Sequence, residues 1–215
     1  MARQERAART RRALIQAAAE VFAEEGFAPA SLTVVSRRAG VSNGALHFHF
    51  TSKQSLAQGV VGEAVAAVRR VAEAASARVE GGLQGVVGTT HALVGLLAED
   101  PVVRAGFALE ADPQWPGSSV RAEWQAWVEG ALRRAGQEGL LGRGVTPDGA
   151  ARTLVAMAVG RVVLGAADPD WLSGQWVDCF LALMLPDLVV EPLQAADAMD
   201  ANRSEGSVRA EKDTD

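Results

Sequence analysis

The sequence predicts an all-α protein of about nine helices, and three observations support this fold class. Apolar residues recur at the spacing of one helix face along most of the 215 residues. Clusters of glycine, proline and aspartate interrupt this pattern between successive periodic segments. Strand-like alternation is scarce, no β-hairpin signal is present, and the chain contains no tyrosine, a residue that strands favour.

The helices can be placed in chain order from their apolar faces and from the breaks between them. The first helix is expected to end at Gly26, and its apolar face consists of Leu14, Ala17, Ala18, Val21 and Phe22. A long helix repeats the pattern at Leu56, Val60, Val61, Ala64, Val65, Val68 and Ala72. Further helical segments are predicted at about 83–98, 101–111, 118–138, 148–166 and 170–185. Residues 186–215 are mostly polar and are expected to form a disordered tail.

Two short helical segments lie between the first helix and the long one. Ser31 can cap the first segment, 32–39, and Gly40 can end it in the left-handed conformation that glycine tolerates. Ser42 can cap the second segment, 43–50. Two short helices joined by a tight glycine turn form a helix-turn-helix, in which the second helix enters the major groove of DNA.

The residue types at the start of the second segment suit contact with DNA. Asn43 is a polar side chain that can bind a base edge. Gly44 and Ala45 are small enough to let the helix backbone approach the DNA closely. Some of the apolar side chains that come next in the segment must pack against neighbouring helices, and these side chains are Leu46, Phe48 and Phe50.

Charge is divided unevenly along the chain, whose net charge is −5. Residues 1–53 carry eight basic and four acidic side chains, a net of +4, and the remainder carries 13 basic and 22 acidic, a net of −9. A basic end on an acidic body is expected when only one end meets a polyanion such as DNA. A basic, solvated face with no partner would give the same composition.

The pair His47 and His49 raises the alternative of a metal site. Side chains two residues apart on a helix point about 200° apart, so these two cannot bind one ion. The third histidine, His91, has no cysteine nearby and no metalloprotease spacing, and it is expected to be a core or pocket-edge residue. We therefore expect no metal and no cofactor.

Several other classes of protein find no support in the sequence. No nucleophile elbow, phosphate-binding loop or dinucleotide fingerprint is present, so a non-enzyme is expected. There is no uncharged apolar run of about 18 residues, and no apolar segment of the kind found in secretory signals, so neither a membrane helix nor export is expected. The lone Cys179 is expected to be a small core residue of a reduced, cytoplasmic protein.

Residues 10–61 closely resemble the DNA-binding domain of the TetR (tetracycline-repressor) family. The resemblance rests on the helix-Gly-Phe turn and on the stretch AGVSNGALHFHFTSK. It implies that the third helix reads the operator and that Lys53, at the start of the fourth, lies near a phosphate. The family usually has a phosphate-bonding tyrosine where this chain has His47, which donates more strongly to phosphate when it is protonated.

With this resemblance, we predict a DNA-binding domain at residues 1–52 that contacts a palindromic operator in double-stranded DNA. Phosphate contacts set the affinity and its salt dependence, whereas base contacts set the specificity. The predicted DNA-binding residues are Thr33, Ser42, Asn43, Gly44, Ala45, His47, His49 and Lys53, with help from the arginines near the N-terminus.

Other segments resemble the γ-butyrolactone-type autoregulator receptors of antibiotic-producing bacteria. These segments are MARQERAARTRRALIQAAAEVF at the start, DPVVRAGFALE (100–110), EWQAWV (123–128) and TLVAMAVGRVVLGA (153–166). Such receptors are repressors that leave DNA when a small lactone, furan or butenolide binds, and they control secondary metabolism. The resemblance implies that Trp124 lines the ligand pocket.

Two alternatives to a lactone receptor stay open. Arg161 stands where these receptors often have a small hydroxyl residue, and a sister group of pseudo-receptors answers to antibiotics or their biosynthetic intermediates. A DNA-binding regulator without a small ligand is the other alternative.

Residues 53–185 are predicted to form a ligand-binding and dimerisation domain. Trp124 and Trp127 share a helix face, and ligand cavities are mostly apolar and aromatic. Plain core packing would bury the same side chains. The residues predicted to bind a small-molecule inducer are Trp124, Trp127, Phe107, Val155 and Val159.

The last two helices carry more apolar side chains than one amphipathic face needs. These side chains are Leu154, Val162, Leu172, Trp176, Phe180, Leu183 and Met184. We expect the two helices to pair with their symmetry mates in a homodimer, because a palindromic site needs two reading heads. No membrane partner is expected.

Overall fold

The structure is a computed structural model that describes residues 2–78, 82–110, 119–165, 168–172 and 175–188. Within these ranges the chain folds into nine α-helices and one short 3-10 helix, Pro169–Leu172. The α-helices are α1 (Ala2–Glu25), α2 (Leu32–Arg38), α3 (Asn43–His49), α4 (Lys53–Arg78), α5 (Gly82–Glu99), α6 (Pro101–Leu109), α7 (Val120–Gln137), α8 (Pro147–Gly165) and α9 (Gln175–Leu188). The predicted all-α fold class is confirmed.

The last predicted helix differs from the structure at its start. The sequence predicted a helix at 170–185, but the 3-10 helix occupies the first of these residues and α9 begins at Gln175. Asp168 explains the early turn. Its carbonyl accepts a hydrogen bond from the Trp171 N–H at 3.2 Å, and its carboxylate accepts one from the Asp170 N–H at 3.1 Å.

Two further expectations concern α9 and the C-terminal tail. The helix continues to Leu188, past the predicted start of the tail, and residues 189–215 lie outside the described ranges. Cys179 was expected in the core, but it is exposed, because it lies on a side of α9 that the described residues leave uncovered. No helix in the described part of the chain is long and apolar enough to cross a bilayer.

The chain packs as two compact units, of which the first combines Met1–Val68 with Leu96–Glu123. In this unit α6 packs along α1, which also contacts α2 and α3. This division follows packing, so the functional boundary between residues 52 and 53 remains a prediction. The fully buried side chains of the first unit include Leu14, Leu46, Leu56 and Val60.

Helices α4 and α6 approach each other closely at Gly106. A Cβ atom at this position would lie 2.6 Å from the Ala64 Cβ and 3.2 Å from Val120 Cγ2. Carbon atoms do not pack at such distances, so only glycine fits here without a shift of one helix. α6 is thereby a closely packed part of the first unit.

Glu110 joins the end of α6 to the start of α7. Its side chain is 1% exposed, and its carboxylate accepts hydrogen bonds from the Ser119 hydroxyl at 2.9 Å and from the backbone N–H groups of Val120 and Arg121. Arg121 Nε also donates to Glu110 Oε2 at 3.1 Å. A carboxylate at a helix N-terminus satisfies free N–H groups and interacts favourably with the helix dipole. Glu110 therefore fixes the first turn of α7.

The second unit combines Arg69–Gly95 with Trp124–Asp215. Within its described part, the 3-10 helix packs on α8. His91 on α5 has a side chain that is 19% exposed, and its Nε2 lies 3.4 Å from Asp178 Oδ1 on α9. This contact joins α5 to the C-terminal helix of the same unit.

Candidate nucleic-acid interface and ligand site

The helix-turn-helix consists of α2, a turn at Gly40 and α3. Ser31 Oγ accepts a hydrogen bond from the Thr33 N–H at 3.3 Å and caps α2, as predicted. Gly40 has a φ of +67°, in the left-handed region that favours glycine. Val41 then donates its N–H to Ser36 O at 3.0 Å. The tight turn brings α3 back against α2.

The third helix is anchored by apolar side chains on its inner side. Ser42 Oγ caps α3 by accepting a hydrogen bond from the Ala45 N–H at 3.1 Å. Leu46 is fully buried and Phe50 is 3% exposed, whereas Phe48 is 79% exposed. Two of the three apolar side chains therefore hold α3 on the first unit, and the third faces solvent.

The residues predicted to bind DNA lie mostly at the surface. Gly44, in the first turn of α3, is exposed. Among the described residues there is no group of three side chains that could hold a metal ion. The exposed residues are Thr33, Ser42, Asn43, Gly44 and His47, and the half-buried ones are Ala45, His49 and Lys53.

Ser36 on α2 contacts Asn43 on α3, a relationship that the helical pattern did not predict. Ser36 is 4% exposed, and its Oγ lies 2.5 Å from Asn43 Oδ1 and 3.1 Å from Thr33 O. The contact crosses the turn and restricts the side chain that is expected to bind a base edge. A polar residue within the short α2 was the sequence signal that could have indicated it.

Lys53 binds the loop between α1 and α2 in the structure, and its predicted phosphate contact stays a prediction. Its ammonium donates to Phe27 O at 2.9 Å, to Ala28 O at 2.7 Å and to Ala30 O at 3.1 Å. It also lies 4.9 Å from the centre of the Phe27 ring. An ammonium group has three donors, and the loop between α1 and α2 engages all of them. Lys53 therefore ties the first turn of α4 to that loop.

The arginines near the N-terminus lie along α1. Arg6, Arg9 and Arg12 are exposed, and the side chain of Arg3 lies outside the described part. Arg11 places its guanidinium over the Phe50 ring, 5.0 Å from the ring centre. Arg11 is also exposed, and its contact with Phe50 joins α1 to the end of α3.

An ion pair joins the end of α1 to the end of α2. Arg38 Nη1 donates to Glu24 Oε1 at 2.7 Å. This hydrogen bond holds the pKa of Glu24 below its usual value and raises the pKa of Arg38. The pair is exposed, so its contribution to stability is small.

Trp124 and Trp127 stack on one side of α7. Their ring centres are 5.6 Å apart, and their planes differ by 14°. Trp124 is 1% exposed and Trp127 is half-buried. The two rings form a continuous aromatic surface in the second unit, which suits either a pocket wall or a packed core.

The other predicted ligand-binding residues divide between the two units. Val155 is 8% exposed and Val159 is half-buried, and both lie on α8 in the second unit. Phe107 is 1% exposed in the first unit. The structure therefore assigns both tryptophans and both valines to one unit and Phe107 to the other.

Polar side chains are also buried in the second unit. Arg161 on α8 is 5% exposed, and burial lowers the pKa of its guanidinium. Thr89 on α5 is fully buried. Thr89 Oγ1 and Trp124 Nε1 have no hydrogen-bond partner within the described ranges. Apolar periodicity gave no sign of Thr89, because threonine in a helix resembles a surface position.

Large apolar side chains remain exposed in the second unit. Trp176 is 49% exposed, Leu183 is 76% exposed and Val163 is 60% exposed. The Trp176 ring stacks on Trp171 with ring centres 5.2 Å apart. Trp176 and Leu183 lie on α9 and Val163 lies near the end of α8, and we call these exposed apolar side chains together the α8–α9 surface.

Two residues predicted for a subunit interface are buried within the chain itself. Leu154 is 4% exposed and Val162 is 8% exposed, because both face the core of their own unit. Phe180 and Met184 are half-buried, and the side chain of Leu172 lies outside the described part. Leu154 and Val162 therefore offer little surface to a partner, and the predicted pairing of the last two helices stays a prediction for the other residues.

Known proteins similar to this chain are bacterial regulators. Residues 14–60 match the family described as bacterial regulatory proteins, tetR family. The chain is 32% identical over 171 residues to the A-factor receptor protein of Streptomyces griseus, a match that covers 78% of this chain. The chain spans 59% of the length of that curated relative.

Two solved structures are similar over most of the chain. TylP, a TetR regulator from Streptomyces fradiae, is 33% identical with a TM-score of 0.68, and the match covers 89% of this chain and 92% of TylP. A γ-butyrolactone receptor described as an ArpA-like protein is 25% identical with a TM-score of 0.77, and the match covers 94% of this chain and 98% of the receptor.

Proposed function

Because the chain belongs to the TetR family of bacterial regulatory proteins, we propose that it is a transcriptional repressor that leaves its operator when a small molecule binds. The main support for this proposal is the exposed surface of α3. Buried Leu46 and Phe50 hold the helix, while Asn43 and His47 stay exposed. A short helix presented in this way can enter a major groove. We propose a regulator rather than an enzyme, acting in the bacterial cytoplasm.

At the operator, the exposed side chains of α3 take different roles. Asn43 presents an amide that can bind a base edge, most favourably an adenine. Phe48, which is 79% exposed, can contact a thymine methyl group. His47 can donate to a phosphate. Lys53 supports these contacts through the loop at Phe27 rather than by touching the DNA.

The repressor acts as a homodimer on a palindromic operator in this proposal. The α8–α9 surface supports the pairing, since Trp176 and Leu183 are large apolar side chains that stay exposed in the single chain. Large exposed apolar patches mark interaction sites. Two copies of α3 then read two half-sites.

The effector is proposed to be a small lactone, furan or butenolide that binds in the second unit against Trp124. Support comes from the likeness to an A-factor receptor and to a γ-butyrolactone receptor, and from the stacked ring pair. Release requires that the effector bind the DNA-free state more tightly. A shift from 99:1 to 1:99 needs about 5.5 kcal/mol of differential affinity. Burial of an acyl chain supplies about 0.8 kcal/mol per methylene group.

Arg161 favours a second candidate effector that carries an acid group. Its guanidinium is 5% exposed on α8, in the same unit as Trp124. A guanidinium in a low-dielectric interior interacts strongly with a carboxylate. An acidic antibiotic intermediate would exploit this charge, as expected of a pseudo-receptor.

Operator release tests the proposal. The DNA upstream of the protein's own gene is the operator probe, and synthetic lactones, butenolides and antibiotic-containing fractions are added to the complex. Trp124→Ala should still bind the DNA and should need far more effector for release, and Trp124→Phe should be milder. Leu132→Ala removes an equally buried side chain of α7, so it controls for lost packing.

Each part of the proposal can fail separately. If the protein causes no salt-sensitive, sequence-specific shift of the DNA, the proposed repressor function is contradicted. If the DNA shifts and no effector reverses the shift, the protein is a DNA-binding regulator without a small ligand. If Trp124→Ala and the parent leave the DNA at the same effector concentration, Trp124 serves only in core packing.

A further inference from the structure

The ring of Phe50 lies against residues of two other helices, α1 and α4. Phe50 is 3% exposed and follows α3 directly. Its backbone N–H donates to Leu46 O at 2.8 Å, so Phe50 caps the helix. Because of this bond, a displacement of Phe50 also displaces the last turn of α3, which carries the exposed side chains of His47 and Phe48.

Gly59 of α4 leaves the space that the Phe50 ring occupies. A Cβ atom at position 59 would lie 2.8 Å from Phe50 Cε1 and 3.3 Å from Phe50 Cζ. Carbon atoms do not pack at 2.8 Å, so a larger residue at this position displaces the ring or α4. Gly62, on the next turn of the same helix, has nothing within 4 Å of its Cβ position. Of these two glycines, only Gly59 is required by a close approach.

Arg11 of α1 lies against the same ring. Its guanidinium carbon is over the ring, 5.0 Å from the ring centre, which is within the range of a cation–π interaction. Arg11 Nη2 is also 3.7 Å from the Cβ position of residue 59. Arg11, Phe50 and Gly59 all belong to the first unit and form one cluster.

We propose that Arg11 and Gly59 are positioning residues for operator recognition, and that both act through Phe50 on the angle at which α3 enters the major groove. The inference rests on the proposed function, because it concerns how the same helix reads the operator. A recognition surface must be held within about 0.5 Å of its productive geometry by the residues packed behind it. Arg11 then contributes to specificity through the Phe50 ring, and it contributes no phosphate contact.

Gly59→Ala is the first variant, and Gly62→Ala is its matched control on the same helix. The operator probe is the DNA upstream of the protein's own gene, and a duplex of equal length and unrelated sequence is the reference. Gly59→Ala should bind the operator about tenfold more weakly, because α3 can reach its productive position only by overpacking the ring against α4. Binding to the reference duplex should be unchanged, since phosphate contacts dominate it. Gly62→Ala should bind both duplexes as the parent does.

A second substitution, at Phe50, tests whether the ring transmits the effect. Leucine lacks the ring atoms that a Cβ at position 59 overlaps. Phe50→Leu alone should weaken operator binding, because the contact with Arg11 is lost. Combined with Gly59→Ala, it should add no further loss or restore part of the affinity. Losses that multiply would show that Gly59 and Phe50 act independently, and would overturn the inference.

Arg11→Met distinguishes positioning from a phosphate contact. Methionine keeps an unbranched side chain against the ring and removes the charge. Operator affinity should fall by up to about fivefold, the worth of an exposed cation–π interaction. The salt dependence of binding should keep its slope, and the reference duplex should bind as before. A slope smaller by about one unit, with equal losses on both duplexes, would make Arg11 a phosphate contact and overturn its assignment.

Proton NMR of the histidine rings gives a readout without DNA. The chain has three histidines, of which His47 and His49 lie on α3 and His91 lies in the second unit. The His49 ring is edge-on to the Phe48 ring with centres 5.2 Å apart, so its proton signals depend on the local arrangement. Gly59→Ala should shift the His47 and His49 signals and leave those of His91 in place. The matched control should shift none of them.

Failure of this inference can be told apart from failure of the proposed function. If the parent shows no preference for the operator over the reference duplex, the proposed function fails and the inference fails with it. If the parent prefers the operator and Gly59→Ala binds it equally well, only the inference is contradicted. Unchanged signals of His47 and His49 in a Gly59→Ala variant that binds weakly would also contradict it, because α3 would then not have moved.

Discussion

Asn43 at the first turn of α3 is held by Ser36 of α2, whose hydroxyl oxygen lies 2.5 Å from Asn43 Oδ1. Ser36 Oγ also lies 3.1 Å from Thr33 O. A hydroxyl has one proton, so Ser36 cannot donate fully to both oxygens at once. If Ser36 donates to Thr33, the Asn43 amide turns so that its NH₂ donates to Ser36, and its oxygen is left for DNA. In either orientation the side chain is positioned before DNA binds.

Ser36→Ala should weaken operator binding about five- to tenfold, because Asn43 must then lose rotamer freedom on binding. Binding to unrelated DNA at the same salt concentration should not change, since the phosphate contacts remain. Fluorescence anisotropy with both DNAs measures the difference. Asn43→Ala should show the same selective loss, and the double variant should lose no more than either. Additive losses would show that Ser36 acts independently of Asn43.

Lys53→Met should lower the free energy of unfolding by about 1–3 kcal/mol, because charge-assisted bonds to three carbonyls are lost while the stem against Phe27 is retained. The salt dependence of operator binding should keep its slope. Chemical denaturation and a salt titration of binding measure the two quantities. A salt-dependence slope that is smaller by about one unit in Lys53→Met would instead support the phosphate contact expected from the family resemblance.

Gly106→Ala should destabilise the chain by about 1–3 kcal/mol, because its Cβ would overlap the Ala64 side chain. Gly62 on α4 has nothing within 4 Å of its Cβ position, so it is the matched control. Gly62→Ala should stabilise by about 0.5–1 kcal/mol through the helix preference of alanine. Urea denaturation of both variants tests the close approach of α4 and α6. Similar gains from both substitutions would mean that the two helices separate at little cost.

Leu183→Arg and Trp176→Arg should convert a dimer to a monomer, because they place a charge on the α8–α9 surface. Leu183 is 76% exposed in the single chain, so its replacement does not disturb the core. Sedimentation velocity measures the oligomeric state, and circular dichroism checks helix content. Phe48→Arg is the control, since Phe48 is equally exposed but lies on α3. A dimer that survives both substitutions would place the interface elsewhere.

Features set by neighbouring residues were predictable from the sequence. The caps at Ser31 and Ser42 and the left-handed Gly40 depend on contacts within a few residues, and the structure confirms all three. The helices could also be predicted from apolar periodicity, because that pattern depends on residues three and four apart in the sequence. The 3-10 turn at Asp168 was missed, because hydrogen bonds to a single aspartate leave no mark in the apolar periodicity.

The parts that could not be predicted depend on distant residues or on side-chain direction. The ammonium of Lys53 binds carbonyls 23 to 26 residues earlier, a distance over which spacing carries no information. The burial of Leu154 and Val162 depends on which neighbours cover α8, and so does the exposure of Cys179 on α9. Thr89 and Thr90 are adjacent threonines that are equally buried, but only the Thr90 hydroxyl has a hydrogen-bond partner among the described residues.

The packing of α6 along α1 limits where the gene for this protein can recombine with the genes of its relatives. The first unit draws Leu96–Glu123 from the middle of the chain, so a crossover at residue 52 or 68 transfers an incomplete core. A chimaera made at either position joins α1 to a foreign α6, and one made at residue 68 also places Ala64 against a foreign residue at position 106. Exchange of operator specificity between relatives is therefore expected to succeed by substitutions confined to α3. Exchange of the whole N-terminal segment succeeds only when α6 is transferred with it.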